Sequence, residues 1–468
     1  MATRRIHLIN PQAQSFTTRP LFRNKALYSP LAGLLAVAGL IPPDRYEVVL
    51  TDENIEPIDF ELQADLVGIS AMTCYVKRGY AIADAFRARG VPVLMGGVHP
   101  SFMPHEALEH ADAVVVGEAE LVMAQVLADL AAGRLTGIYQ ADRLHPMTDL
   151  PRPRYDLLKR NRYFTTTYIQ TSRGCHHACA FCAEMMMYGL QFRYRPIDDV
   201  LREIDGSGER VIALNDADFF GTPTRAAALM RGLKGRGLRW QAGVNSREAL
   251  DDELLALAAE SGCYMLSIGF ESISQAALRS VHKYQNSPAT YRALVAKIQQ
   301  HGILVFGLFM FGFDQDEPAV FAETARFNIE ANFDVCAYSV LTPYPGTLTW
   351  YELLKAKRIV SYDWDKYDQG YIVYRPKNLT PEQLRQGHME AYRRFYSLPS
   401  LVRRFPLRGA RSQFYWTVYN LVFRKGEVAG RTIVEAVAPP TAPPRHPAEP
   451  PLLPQRADWR DLVQGSEY

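Results

Sequence analysis

The sequence predicts an α/β protein with two consecutive parallel-sheet domains and a mostly helical C-terminal region. Three observations predict it. Short, continuously apolar runs alternate with helical patterns twice over, before and after a proline-containing stretch. Such runs are strands buried on both faces by the helices between them. Three cysteines fall within eight positions, directly after the first β-rich run of the second series. Beyond Pro343-Tyr344-Pro345-Gly346 the alternation stops and an aromatic-rich helical pattern replaces it.

In the first series, strands are expected at 5–9, 46–50, 64–70, 91–95 and 111–116, with helices at 31–40, 75–89 and 120–132. The second helix is read from Val76, Tyr80, Ala83 and Phe86, which recur every three or four positions. Residues 1–145 therefore form a doubly wound domain. Residues 146–162, with Pro146, Pro151 and Pro153, form a linker. The second series starts with the run 163–171 and continues with strands at 211–214, 238–243, 264–269, 305–311 and 335–341. Six βα units over 163–350 make a partial (β/α)6 barrel, since a closed one needs eight. Its chemistry belongs at the C-terminal ends of the strands. Residues 351–430 are expected as a helical domain over the barrel mouth. The Pro- and Ala-rich tail, 431–468, is expected to be extended or disordered.

The 468 residues are 48% hydrophobic and 22% charged, which suits a folded protein. A net charge of +2 argues against nucleic acid as the main partner. The aromatics near Arg393, Arg394, Arg403 and Arg404 are read as packing rather than as a base-stacking surface. The most apolar stretch, 31–41, is too short to span a bilayer. The N-terminus shows no secretory pattern. No transmembrane segment and a cytoplasmic location are expected. Cys74, Cys263 and Cys336 lie in apolar surroundings and read as core thiols.

Cys175, Cys179 and Cys182, spaced x3 then x2 on one loop, read instead as metal ligands. Soft thiolates hold iron–sulfur clusters. Three of them satisfy three irons of a [4Fe–4S] cubane and leave one iron open to a ligand. A structural zinc site is the rival reading. It would have to recruit His176 or His177 from inside the same loop, which is a poor route to a tetrahedron.

With Phe181 just before the last cysteine, this loop resembles the signature of the radical S-adenosylmethionine (SAM) superfamily. The resemblance implies that SAM chelates the open iron and is cleaved reductively to a 5′-deoxyadenosyl radical, which abstracts hydrogen from a small-molecule substrate. The electron would come from a reductant such as flavodoxin or ferredoxin. Other strand-end residues acquire expected roles from it. Asp216 and Asp218 end the second strand, where the alternative is a helix cap before Thr222-Pro223. Gln241, Asn245, Ser267 and Phe309 are expected at the cofactor, with Gly307, Phe309, Gly312 and Phe313 bringing the backbone of the fifth strand close to adenine. Glu271, in a Gly-x-Glu-Ser strand end, is expected on ribose or substrate, with a salt bridge to Arg247 or Arg279 as the alternative. Tyr344 is expected in the substrate cavity, and Asp216, Glu271 and Tyr344 are the catalytic candidates.

The N-terminal domain resembles a Rossmann-like cobalamin-binding domain. Ser70, Thr73, Gly96 and Gly97 match positions that hold the cofactor, and Gly117-Glu118-Ala119-Glu120 is typical of the subgroup. The Asp-x-His-x-x-Gly motif that ligates cobalt in many such domains is missing, so cobalamin itself stays open at this point. The layout is shared with hopanoid methylases and the anaerobic protoporphyrin cyclase. It is also similar to the radical diol dehydratases of aminoglycoside biosynthesis, which act on paromamine. Dehydration of such a diol is the first expectation: the cationic amino sugar would lie among Asp216, Asp218, Glu271 and Asp314, and a separate NADPH-dependent reductase would act next. Cobalamin-dependent methylation of a small molecule or lipid is the alternative. An iron–sulfur electron carrier is the non-enzyme alternative.

Overall fold

The computed structural model describes residues 4–13, 26–28, 31–165, 167–428 and 440–446. Six strands, β1 (Arg4–Asn10), β2 (Tyr46–Asp52), β3 (Leu66–Ser70), β4 (Val93–Gly96), β5 (Ala113–Val116) and β6 (Gly137–Gln140), form the first sheet. All pair in parallel, in the order β2-β1-β3-β4-β5-β6. The apolar runs account for this: β5 is buried at every position and β3 at all but its last. The sequence pattern does not reveal β6, a half-exposed edge strand. The strand order reverses between β1 and β3. That switch point is where doubly wound sheets open a ligand crevice.

The second sheet has β7 (Tyr168–Ile169), β8 (Val211–Leu214), β9 (Arg239–Val244), β10 (Cys263–Glu271), β11 (Leu304–Phe311) and β12 (Val335–Val340), each parallel to the next. This is the six-stranded partial barrel the sequence predicts. The expected first strand is broken, because Tyr163–Thr165 pairs with Ala26–Tyr28 instead. Side chains alternate between faces. In β9, Trp240, Ala242 and Val244 are buried beneath helices, while Gln241 and Gly243 turn to the lumen and are only half-buried.

The C-terminal helices are not where the sequence reading put them. Helix Pro381–Phe395 seals the free edge of β12. Tyr392 Oη accepts from Tyr338 N at 3.0 Å, Tyr396 Oη donates to Cys336 O at 2.6 Å, and His388 bonds Tyr338 O at 2.9 Å. These contacts satisfy backbone groups that an open edge would leave unpaired. Helix Gly409–Val428 closes the opposite end from the mouth. Its Trp416 and Tyr419 pack on Tyr264, Leu304 and Val335, residues at the strand starts. The mouth is covered instead by the N-terminal domain and the segment after β12. Trp364 Nε1 donates to Glu106 at 2.9 Å, and Lys77 pairs with Asp363 at 2.8 Å. Part of the predicted disordered tail is also placed. Thr441 N donates to Val360 O at 3.2 Å, and His446 pairs with Glu109 at 3.0 Å. The rest of that tail lies outside the described residues, and none of their helices is long and apolar enough to cross a membrane.

Candidate active site

The cysteine loop is pinned at both ends. Ser172–Arg173 pairs antiparallel with Arg193–Tyr194. Gly174 opens the loop at φ 86°, and a Cβ there would lie 2.2 Å from Gln191 O, so only glycine fits. Cys175 N donates to Gly189 O at 3.2 Å, and Cys182 N to Cys179 O at 3.1 Å. Cys179 is buried and the other two are half-buried. Burial pushes the Cys175 thiol up to about 12 and Cys182 up to about 11, and neighbouring cysteines in the trio add to both. A metal ligated by these sulfurs would hold them as thiolates against that burial. Among the described residues, no three His, Cys, Asp or Glu side chains converge on a single ion position. A cubane asks for less convergence, because each sulfur ligates a different iron. The donor set, three soft thiolates on one loop, is the kind that holds an iron–sulfur cluster.

The carboxylates at the strand ends are already engaged. Asp216 accepts from Thr171 N at 2.6 Å, Thr171 Oγ1 at 2.5 Å and Ser172 N at 3.0 Å, which braces the chain leading into the cysteine loop. Burial raises its pKa, and these donors only partly offset that. Asp218 is buried and accepts from Asn245 N at 3.1 Å and from Asn245 Nδ2. Asn245 Oδ1 in turn accepts from Arg247 N and Glu248 N. Glu271 sits at a β-bulge with φ 60°. Its partner is Lys283 at 3.2 Å, not the Arg247 or Arg279 considered from sequence. Burial would lower the Lys283 pKa, but Glu271 and the neighbouring thiols hold it above its ordinary value. Lys283 Nζ also lies 5.9 Å from the Phe181 ring centre. Sequence reasoning missed this lysine.

Gln241 and Ser267 occupy half-buried lumen positions, and Gln241 Oε1 accepts from Tyr419 Oη at 3.1 Å. The Phe309 ring packs outward against Phe270 and Phe333, with ring centres 5.5 and 5.6 Å away. Leu308 and Met310 turn to the opposite face, so the ring of Phe309 is not a lumen contact and any role it has there belongs to its backbone. Tyr344 lies beside Cys74 and bonds Gln369. Burial is the main reason its hydroxyl is hard to ionise.

At the switch point of the first sheet lies a cavity of about 390 Å³. Ser70, Gly96 and Gly97, three of the positions expected at cobalamin, line it. A Cβ on Gly97, at φ 98°, would sit 2.8 Å from Ala71 O. Thr73 is the exception: it is buried against His99 Nδ1 at 3.3 Å. The cavity runs between the sheet and helix Ala32–Gly39 over an apolar floor that includes Leu8, Leu94 and Val115. Its other wall belongs to the barrel domain and consists of Arg173, Met187, Tyr188 and Asn215. An apolar trench with glycine-lined backbone at its rim suits one part of a large cofactor such as cobalamin, which as a whole is bigger than the cavity.

A buried ion cluster joins this cavity to the cysteine loop. Arg173 Nη1 and Nη2 reach Glu118 at 2.7 Å and Glu120 at 2.6 Å, and Arg193 reaches Glu118 at 2.9 Å. Burial alone would raise the Glu120 pKa, but Arg173 holds it below the usual carboxylate value. The role of Gly117-Glu118-Ala119-Glu120 was not read from sequence, although paired acids at a strand end were its signal.

Residues 20–127 match the model of the B12 binding domain and residues 169–327 that of the radical SAM superfamily. Over 430 residues, covering 89% of this chain and 92% of the relative, the chain is 32% identical to bacteriochlorophyllide d C-12(1)-methyltransferase of Chlorobaculum tepidum. It is 26% identical to the C-8(2)-methyltransferase of the same organism, covering 79% of this chain and 86% of that one. The structure of the radical SAM methyltransferase TsrM from Kitasatospora setae superposes with a TM-score of 0.68 at 17% identity, covering 92% of this chain and all 100% of that one. The cofactors that go with the two domains are a [4Fe–4S] cluster with SAM, and cobalamin. The chain belongs to the radical SAM enzymes that carry an N-terminal B12-binding domain.

Proposed function

We propose that the protein is a cobalamin-dependent radical SAM methyltransferase acting on a carbon of a chlorophyllide-type tetrapyrrole. The observation that carries this reading is the shared cavity. One wall is the B12-binding sheet, and the other is the barrel segment that begins and ends the cysteine loop. Its substrate class rests on the first two relatives, both named as bacteriochlorophyllide methyltransferases. When bound, cobalamin supplies a methyl carrier, and SAM supplies both the methyl group and the hydrogen-abstracting radical.

The chain's own residues do the rest. Cys175, Cys179 and Cys182 hold the cluster. Asp216 fixes the path into their loop, and Arg173 ties that loop to the cobalamin wall through Glu118 and Glu120. Gln241 and Ser267 line the lumen, and the apolar trench keeps water from the methyl carrier. An external reductant such as flavodoxin or ferredoxin supplies the electron.

Dehydration of an amino sugar, first from sequence, loses its support. The relatives named above are methyltransferases, and the four carboxylates meant to hold the cation are engaged elsewhere. Asp216 is held by Thr171, Asp218 by Asn245, Glu271 by Lys283, and Asp314 by Arg358 at 2.6 Å. A cationic sugar would have to displace these partners.

The test is anaerobic turnover of the protein reconstituted with iron, sulfide and cobalamin, using SAM with a deuterated methyl group, a reductant and a bacteriochlorophyllide. The expected product carries the deuterated methyl, alongside S-adenosylhomocysteine and 5′-deoxyadenosine. Formation of 5′-deoxyadenosine with no label reaching carbon, in protein that holds cobalamin, would reject methyl transfer.

A further inference from the structure

The C-terminal hairpin, helix Leu398–Arg404 followed by helix Gly409–Val428, leaves an apolar surface bare. Among the described residues, the large hydrophobic side chains that stay exposed number ten, and seven of them fall between 398 and 421. Leu398 and Val402 are one turn apart on the first helix, 63% and 78% exposed. Phe414, Val418 and Leu421 form a second stripe at helical spacing. Phe405 and Leu407, the latter 91% exposed, lie in the turn that joins the stripes. Scattered exposed hydrophobes are ordinary, but a patch of this kind marks an interaction site.

The hairpin is held firmly enough to present that patch. Asp334, at the start of β12, is the anchor: Arg408 pairs with its carboxylate at 2.5 Å, and Asn420 and Arg404 bond its carbonyl at 3.0 and 3.1 Å. Helix Gly409–Val428 thus has two apolar faces. One face, with Trp416, Tyr419 and Val422, is buried on the barrel, and the other has no cover among the described residues.

The charge of this stretch is one-sided. Residues 391–426 contain eight Arg or Lys and no Asp or Glu, in a chain whose net charge is only +2. Arg404, Arg408 and Arg424 turn inward to bind backbone or Asp334. Arg393, Arg403 and Arg411 stay exposed. Basic residues flanking a bare Phe, Leu and Val surface match an anionic lipid bilayer, which offers phosphate to the cations and acyl chain to the hydrophobes. A base-stacking surface for nucleic acid fits less well: Tyr392, Phe395 and Tyr396 are buried against or beside the β12 edge, and five of the seven exposed hydrophobes of the patch are aliphatic, with Phe405 and Phe414 the only rings among them.

We infer that the 398–421 hairpin is a docking surface for an anionic membrane, on which the protein lies without crossing it. The docked face is the barrel end remote from the cysteine loop, so the mouth stays clear. This inference does not rest on the proposed methyl transfer.

Flotation of the full chain with vesicles tests it. Vesicles of phosphatidylcholine with one-third phosphatidylglycerol are expected to bind at least tenfold more protein than phosphatidylcholine alone, with most of that gain lost in high salt. A Val402→Ser/Leu407→Ser/Phe414→Ser variant is expected to lose at least tenfold in binding, and Arg403→Glu/Arg411→Glu to lose severalfold. Both are expected to keep the wild-type circular dichroism and yield of 5′-deoxyadenosine. Absence of vesicle binding by folded wild-type protein would overturn the inference. So would a dimer in light scattering that the apolar variant dissociates while vesicle binding is unchanged, since the occupant would then be a second copy of the chain.

Discussion

The two ends of the barrel are closed by different physics. At the end where the strands begin, Tyr264 stacks on Tyr415 with ring centres 4.1 Å apart, and Trp416 and Tyr419 complete an apolar seal. Such burial is strong but non-directional. At the end where the strands finish, closure relies on charges and hydrogen bonds: Arg173 with Glu118 and Glu120, Thr171 with Asp216, Asn245 with Asp218, Lys283 with Glu271. These bonds are directional and fix atoms in place. One end secures that the barrel stands, and the other secures where its loops sit. Damage at the two ends should therefore be read out differently.

The largest effect belongs to the cluster ligands. Cys179→Ser is expected to abolish 5′-deoxyadenosine formation and to lower cluster iron, with the far-UV circular dichroism unchanged. Retained cleavage of SAM in that variant would remove the cysteine loop from the chemistry altogether. Next comes Arg173, whose guanidinium joins the loop to the cavity wall. Arg173→Ala leaves Glu120 without its buried partner and Glu118 with Arg193 alone, and is expected to cost about 3–5 kcal/mol in chemical denaturation. Arg173→Lys keeps the charge but cannot span both carboxylates with one fork. Its expected signature is uncoupling: more 5′-deoxyadenosine formed per methylated product, at near-normal cluster content. An unchanged ratio would make the ion cluster a stabilising feature only.

At the opposite end the prediction reverses. Trp416 is 6% exposed and its Nε1 has no hydrogen-bond partner. Trp416→Ala is expected to cost roughly 3 kcal/mol through the cavity it leaves. Trp416→Phe should cost much less, since it removes an unsatisfied donor. In both, the ratio of 5′-deoxyadenosine to methylated product should match the wild type. A shift in that ratio would show that the seal also positions the mouth.

The same contrast explains what the sequence revealed. Strands buried on both faces appear as apolar runs, so both sheets were legible, and three cysteines at fixed spacing marked the cluster loop. Directional bonds were not legible. Lys283 could not be paired with Glu271 in advance, because the bulge after Gly269 and the positive φ of Glu271 decide where that carboxylate points. The face of Phe309 was ambiguous for the opposite reason. Leu304–Phe311 is apolar or glycine throughout, and a period of two with no polar residue carries no inside or outside. The C-terminal helix misled in the same way, since apolar residues on two faces do not say which one meets the barrel. Asp216 and Asp218 follow the end of β8, but a strand end does not disclose whether a carboxylate is free or occupied.

The smallest prediction concerns acid. His388 seals the β12 edge from a fully buried position: it bonds Tyr338 O at 2.9 Å through Nε2, and its Nδ1 has no partner. Burial lowers its pKa from 6.5 to about 4, with the Tyr338 carbonyl pulling weakly the other way. The folded protein therefore keeps this ring neutral where the unfolded chain protonates it. Stability from this group is fully present above pH 6.5 and declines as pH falls towards 4. The slope from one such group is about 1.4 kcal/mol per pH unit. His388→Gln keeps a donor for the Tyr338 carbonyl and removes the titration. Between pH 6 and pH 4.5, urea unfolding of that variant is expected to depend less on pH, by about that slope. His7, also buried and lowered to about 4, leaves a residual dependence in both proteins. Equal slopes in wild type and variant would mean that the edge helix opens to let a proton in before the barrel unfolds.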